Sequence, residues 1–267
     1  NAGVLSLGSA NAIGSSGTIS FGGGTLQYTI SNTTDYSSRF STASSQAYKV
    51  DTNGQNIIWA TGLTSSGGSL VKSGSGTLTL SGDNTYSGSS TLSVGNLTLT
   101  GNNSTSGAIN INAGVLSLGS ANAIGSSGTI SFGGGTLQYT SSNTTDYSSR
   151  LSGASGQAFK VDTNGRTVTW ASNLTNASSS ITKSGTGTLT ISNAIGVSSV
   201  NIVVTGGTLS LPGTETQLAG LGTISLQGGT LICPNCPTLG DVVATANSSL
   251  TFSGLNAVFR TLTLASG

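Results

Sequence analysis

The stretch Gly76-Thr77-Leu78-Thr79-Leu80 alternates polar and apolar residues directly after a glycine. A period of two places successive side chains on opposite faces of an extended chain, so the leucines share one face and the threonines the other. This pattern predicts a β-strand with one buried face, and not a helix. The same glycine-led alternation recurs at Gly3-Val4-Leu5-Ser6-Leu7, Gly24-Thr25-Leu26-Gln27-Tyr28, Gly95-Asn96-Leu97-Thr98-Leu99, Gly207-Thr208-Leu209-Ser210-Leu211 and Gly222-Thr223-Ile224-Ser225-Leu226.

A long internal repeat organises these strands. Residues Asn1 to Thr29 recur unchanged as Asn112 to Thr140, a period of 112 − 1 = 111 residues, and the match fades after about Ser192. A stack of coils tolerates such a duplication because its contacts are between nearest neighbours only. We therefore predict a first long repeat over residues 1–111, a second, partial copy over 112–192, and divergent coils over 193–267, for which a C-terminal cap is one interpretation.

The composition favours a long, narrow core. Of the 267 residues 34% are hydrophobic, only 6% are charged and 41 are glycine. A flexible Gly/Ser linker would not place apolar residues at every second position. An antiparallel sandwich would show a similar spacing of strands, but it gives no reason for a near-identical 111-residue copy. We predict an all-β, parallel β-solenoid of about twelve coils, since long solenoid repeats take roughly 20 to 25 residues per coil.

Charge and hydropathy argue against two classes of partner. Eight basic and seven acidic residues leave a net charge of +1, so there is no basic stripe of the kind that binds nucleic acid. No apolar run approaches the roughly 20 residues that a membrane-spanning helix needs. We therefore expect neither a nucleic-acid partner nor a membrane span.

One stretch carries a family resemblance. The run Gly74-Ser75-Gly76-Thr77-Leu78-Thr79-Leu80-Ser81-Gly82-Asp83-Asn84-Thr85-Tyr86-Ser87-Gly88, continued by Thr91-Leu92-Ser93-Val94-Gly95-Asn96-Leu97-Thr98-Leu99, resembles the autotransporter-associated β-strand repeat. The resemblance is full at 74–99 and partial at 185–192. It implies export, a right-handed parallel β-helix, and a role as an adhesin, a stalk or a matrix component of a bacterial surface. It does not identify a ligand.

The sequence offers little catalytic chemistry. Histidine is absent, which removes most catalytic triads. Cleavage of a polysaccharide by two carboxylates is the natural enzymatic alternative, but four of the seven acids belong to repeat-related pairs, Asp35 with Asp146 and Asp51 with Asp162. Such pairs are typical of turn or ion-pair residues copied with a scaffold. We expect no enzyme activity, no metal and no cofactor.

Two further features are candidate sites. Trp59 and Trp170 occupy equivalent places in the repeat, and an exposed tryptophan could stack on sugar rings, whereas a buried one would cap a coil. Cys233 and Cys236 form a Cys-Pro-Asn-Cys motif without a repeat partner. We favour a local disulfide for an exported protein; a redox site, half of a zinc site and an intermolecular crosslink are the alternatives.

The sequence as a whole indicates an extracellular or cell-surface structural protein. We expect it to form a stiff stalk, surface fibre or filament. The first copy lacks the Gly107-Ala108-Ile109-Asn110-Ile111 lead-in that precedes the second, so the N-terminal coil should be open, either to head-to-tail self-association or to a longer polypeptide. A glycan-binding adhesin and a β-helix polysaccharide-cleaving enzyme are the two alternative functions.

Overall fold

A computed structural model describes residues 3–174, 178–195, 200–213, 221–235, 239–245, 247–252 and 259–265. The chain divides into two units, Asn1–Leu137 and Gln138–Gly267. The first 111-residue repeat and the start of its copy both lie in unit 1.

Unit 1 is built from short strands and one single-turn 3-10 helix. Its elements are β1 (Val4–Ser6), β2 (Thr25–Gln27), η1 (Ser37–Arg39), β3 (Ala47–Asp51), β4 (Ile57–Trp59), β5 (Ser69–Ser73), β6 (Thr77–Leu80), β7 (Ser90–Leu92), β8 (Asn96–Leu99), β9 (Ile109–Ile111), β10 (Val115–Leu118) and β11 (Ile130–Phe132), with β12 (Thr136–Gln138) at its end.

Unit 2 repeats this organisation. Its elements are η2 (Ser148–Arg150), β13 (Ala158–Asp162), β14 (Arg166–Trp170), β15 (Ser180–Ser184), β16 (Gly187–Ile191), β17 (Val200–Val204), β18 (Thr208–Ser210), β19 (Leu221–Leu226), β20 (Thr230–Ile232), β21 (Leu239–Ala244), β22 (Ser249–Thr251) and β23 (Phe259–Leu264).

The strands pair in rows that run from coil to coil. In unit 1 one row follows the order β1-β2-β3-β5-β7-β9-β11 and another the order β4-β6-β8-β10. In unit 2 the rows are β13-β15-β17-β19-β21-β23 and β14-β16-β18-β20-β22. The registers within these rows are parallel, for example Leu78↔Leu97 between β6 and β8 and Leu97↔Leu116 between β8 and β10. Parallel pairing of strands that are two elements apart is the pattern of a coil stacked on the next coil.

The coil length follows from the registers. Paired residues are 110 − 91 = 19 residues apart between β7 and β9, and 50 − 26 = 24 apart between β2 and β3. The prediction of a parallel β-solenoid is therefore confirmed, with about 11 turns in place of the predicted twelve. The antiparallel sandwich is ruled out by the parallel registers.

Burial follows the alternation that the sequence predicts. On β6 Leu78 and Leu80 are buried while Thr77 and Thr79 are half-buried on the outer side, and β8 and β16 repeat this pattern. Burying a leucine side chain contributes about 1.5–3 kcal/mol, so each coil adds a small, similar increment. The divergent segment 193–267 continues the same scheme, because β17, β19, β21 and β23 pair in parallel.

Glycine is required where the coils turn most closely on one another. Gly95 has φ +78°, and a Cβ at this residue would lie 2.5 Å from the carbonyl oxygen of Gly74 in the preceding coil. Gly114 has the same φ, and an added Cβ would overlap the carbonyl oxygen of Gly95. Since L-residues with side chains rarely adopt this conformation, Gly74, Gly95 and Gly114 form a column at one corner of unit 1.

Within the part of the chain that the structure describes, no helix has the length and apolar character needed to cross a membrane.

Candidate functional site

The two tryptophans lie inside the coils. Trp59 and Trp170 are both fully buried. The indole Nε1 of Trp59 donates a hydrogen bond to the hydroxyl oxygen of Tyr28 over 2.9 Å, and Trp170 makes the equivalent bond to Tyr139 over 3.0 Å. Neither ring can stack on a sugar at the surface, so the glycan-stacking hypothesis for these two residues is wrong. The alternative of a buried tryptophan is observed, and that these residues cap a coil stays a prediction.

Burial also changes the chemistry of the tyrosines in these pairs. Removal from water raises the pKa of Tyr28 and of Tyr139 well above the usual value, although the hydrogen bond from the indole opposes this shift. Both phenols therefore stay protonated and neutral. They serve as hydrogen-bond acceptors within the core, not as acids or bases.

Each copy of the repeat also contains a buried lysine. Lys72 on β5 and Lys183 on β15 have no solvent exposure. The Nζ of Lys72 donates to the carbonyl oxygens of Ser73, Gly74 and Val94 at 3.0, 2.8 and 3.1 Å. The three carbonyls belong to the turns of two adjacent coils, so the ammonium group joins one coil to the next.

Unit 2 reproduces this arrangement. The Nζ of Lys183 donates to the carbonyl oxygens of Ser184, Gly185 and Gly206 at 2.8, 2.8 and 3.1 Å. Burial lowers the pKa of both lysines to about 8, while Asp51 and Asp162 act in the opposite direction through their charge. These two lysines were not among the predicted site residues. The available signal was their place in the alternation, two residues after the buried Leu70 and Ile181.

The repeated carboxylates shape turns. Asp35 accepts hydrogen bonds from the backbone N–H of Ser37 and of Ala60, both at 2.8 Å, and Asp146 accepts the equivalent bonds in unit 2. Asp51 accepts a hydrogen bond from the backbone N–H of Asn53 at 2.8 Å. The run from Asp51 to Gly54 is thus an Asx turn.

Arg39 does not pair with Asp35. Its guanidinium donates to the carbonyl oxygens of Gly14, Gly17, Ile13 and Ser16, and it lies 5.6 Å from the centre of the Tyr36 ring. Arg39 is therefore a loop anchor. Of the two interpretations given for the repeated acids, the turn is observed for Asp35, Asp51, Asp146 and Asp162.

The other predicted candidates give less. Cys233 is buried and disulfide-bonded, but Cys236 lies outside the described residues, so the local pairing stays a prediction. Among the described residues there is no group of three or more His, Cys, Asp or Glu side chains that could hold a metal ion.

A comparison with known protein families matches part of unit 1. Residues 70–97 and 94–118 match the passenger-associated transport repeat. These matches, together with the β-solenoid fold, fit an autotransporter passenger-like β-solenoid repeat. The two matches overlap the stretch 74–99, on which the sequence resemblance rested, and they cover strands β6, β8 and β10 and the buried Lys72. Neither the curated proteins nor the solved structures contain a match.

Proposed function

We propose that this chain is a structural stalk segment of a secreted or surface-bound passenger protein. The passenger-type repeat and the β-solenoid fold support a passenger-like structural domain, and they suggest a secreted or surface location. The observation that carries the proposal is the continuous row of buried apolar residues in each unit, with Thr, Ser and Asn outside. Such a row gains stability with every coil added, so length is obtained without a larger globular core.

The polar exterior supports this role. Thr79, Thr98 and Ser117 lie in register on the outer side of β6, β8 and β10. Neutral hydroxyl and amide side chains can be stacked at strand spacing, about 4.8 Å, whereas like charges at that spacing would repel one another. This explains how a surface-exposed rod remains hydrated with a charged content of 6%.

An open apolar groove in unit 1 supports extension of the stack. Val4 and Leu5 on β1 are 61% and 51% exposed, and they line a groove of about 310 Å³ together with Ile19 and Phe21. In the second copy the equivalents of Ile19 and Phe21 lie on β11, which pairs with β9. We propose that the groove accepts a strand of the same apolar-polar-apolar type, either from a second copy of the chain or from a longer polypeptide.

The experiment is to lengthen the protein by whole repeats. A variant with one additional copy of residues 1–111 should form a longer rod in negative-stain electron microscopy, by roughly 25 Å for about five coils at 4.8 Å each. A variant lengthened by a Gly/Ser linker of equal size is the control and should not add rod length. Compact particles whose length is independent of repeat number would contradict the stalk proposal.

Sedimentation tests the groove separately. The parent protein should self-associate with rising concentration if a second copy fills the groove, and Leu5→Lys should abolish that association. A monomer at all concentrations would leave a longer polypeptide as the occupant. The matched family describes a passenger repeat and not an enzyme, and the repeated acids are held by backbone amides, so we do not propose polysaccharide cleavage.

A further inference from the structure

Unit 1 contains a polar groove. It has a volume of about 470 Å³, which is in the range of small-ligand sites. Its walls come from the segments that follow β6, β8 and β10, in three successive coils. The lining residues are Asp83, Thr85, Asn102, Asn103, Ser104, Asn122, Gly125 and Ser126.

Two buried asparagines, Asn84 and Asn103, tie together the coils that form this groove, and Asn103 lines it. The backbone N–H and the side-chain Nδ2 of Asn84 both donate to Oδ1 of Asn103, at 2.9 and 2.7 Å. The Nδ2 of Asn103 in turn donates to the carbonyl oxygen of Ala123 at 2.6 Å. This chain of hydrogen bonds ties the three coils together, and it orients the residues on either side of each asparagine outward.

Some hydrogen-bonding groups of the groove walls are bonded within the protein, and others are not. Oδ1 of Asp83 accepts from the backbone N–H of Asn102, and Oδ1 of Asn102 accepts from Nδ2 of Asn122, both at 2.7 Å. These bonds hold the side chains in place. Within the described residues, the second carboxylate oxygen of Asp83 and the hydroxyls of Thr85 and Ser104 have no hydrogen-bond partner in the protein.

We propose that this groove binds a neutral oligosaccharide. A preorganised set of carboxylate, amide and hydroxyl groups offers both donors and acceptors to sugar hydroxyls. Among the described residues, no lysine or arginine lines the groove, and Asp83 would repel an acidic sugar. A divalent cation is a poor occupant because a single carboxylate lines the groove, while hard cations take several oxygen ligands of higher charge.

Asp83 is the residue that distinguishes this groove within the repeat. The second copy ends at about Ser192, and the position 111 residues after Asp83 is Ala194. Asn122, Gly125 and Ser126, in contrast, belong to the stretch that repeats unchanged, and their equivalents are Asn11, Gly14 and Ser15. The inference does not depend on whether the solenoid serves as a stalk.

The test is binding of isotope-labelled protein to an array of neutral oligosaccharides, followed by an NMR titration with each sugar that binds. We expect chemical-shift changes at Asp83, Thr85, Asn102, Ser104 and Asn122. Ser104→Tyr, which fills the groove, should abolish binding. Asp83→Asn should weaken it about tenfold, because a hydrogen bond to a charged acceptor is replaced by one to a neutral amide.

The control is Thr98→Tyr, which adds the same ring to the outer side of β8 in the same coil and should leave binding unchanged. Trigalacturonate, an acidic trisaccharide, should not bind. The proposal is overturned if no neutral sugar binds, if the shifts lie outside the groove, if trigalacturonate binds instead, or if Thr98→Tyr and Ser104→Tyr lose binding equally. None of these results affects the rod measurement.

Discussion

In unit 1 the ring of Trp59 packs edge-on against Phe40, with the centroids 4.7 Å apart, whereas the residue equivalent to Phe40 in unit 2 is Leu151. The residue equivalent to Tyr48, whose hydroxyl donates to the carbonyl oxygen of Ser41 over 2.9 Å, is Phe159. The Trp–Tyr bond and the three bonds of the buried lysine are nevertheless the same in both units. Apolar packing tolerates exchanges of similar volume, whereas a buried donor needs its acceptors in place. We infer that the Trp–Tyr and lysine hydrogen bonds, and not the aromatic packing, are the contacts that the repeat preserves.

The largest effect is expected from removing the buried ammonium group. Lys72→Met should lower the free energy of unfolding by about 3 kcal/mol, because three hydrogen bonds from the ammonium group to carbonyl oxygens of two coils are lost. Lys183→Met should have a similar effect, since its contacts are the same. Denaturant unfolding followed by circular dichroism measures both. Lys49→Met on β3, where the side chain is half-buried, is the matched control and should change stability by less than about 0.5 kcal/mol. Equal effects at 49 and 72 would refute the role of the lysine.

The second test is a double-mutant cycle on the Trp59–Tyr28 pair. Trp59→Phe should cost about 2–3 kcal/mol from lost volume and a lost hydrogen bond. Tyr28→Phe should cost less in the Trp59→Phe variant than in the parent protein, and the difference gives a coupling energy of about 1 kcal/mol. The Trp170–Tyr139 pair should give the same coupling. Additive effects in either unit would show that the hydrogen bond contributes nothing to the free energy of unfolding.

The third test uses the pKa of the two lysines. In the folded chain the pKa of each is lowered to about 8, while in the unfolded chain it is near 10.4. Between these values the unfolded state binds more protons, so stability should rise as the pH increases from about 8 to 10. Denaturation midpoints measured across this window should rise for the parent protein and stay level for the Lys72→Met, Lys183→Met double variant. If the denaturation midpoint of the parent protein fell across this window, folding would raise the pKa of the lysines and not lower it.

The smallest effect is expected from an apolar exchange. Phe40→Leu gives unit 1 the residue of unit 2, and it should cost no more than about 1.5 kcal/mol. The Trp59 fluorescence maximum should stay blue-shifted because the indole remains buried. A loss of stability as large as that of Lys72→Met would show that the aromatic packing contributes as much as the polar contacts.

Sequence reasoning reached the fold because the alternation of β6 and the 111-residue repeat both report directly on a stack of coils. It missed the role of Lys72, since a lysine at an inward position conflicts with the general preference of charged residues for the surface, and its acceptors are backbone atoms that no side-chain pattern reveals. The polar groove was also missed. The asparagine pair could have been found, because Asn84 and Asn103 are 19 residues apart, the same spacing as Leu78 and Leu97. The walls could not, because they depend on how three turns are placed in space.

The most direct test of the account is the strand register measured in solution. Inter-strand nuclear Overhauser effects in β6, β8 and β10 should connect Thr79 with Thr98 and Thr98 with Ser117, and one step along each strand should move both partners in the same direction. This parallel pattern is what stacked coils require. Contacts in which the partner moves in the opposite direction along the chain would show antiparallel strands, and would contradict the solenoid and every function inferred from it.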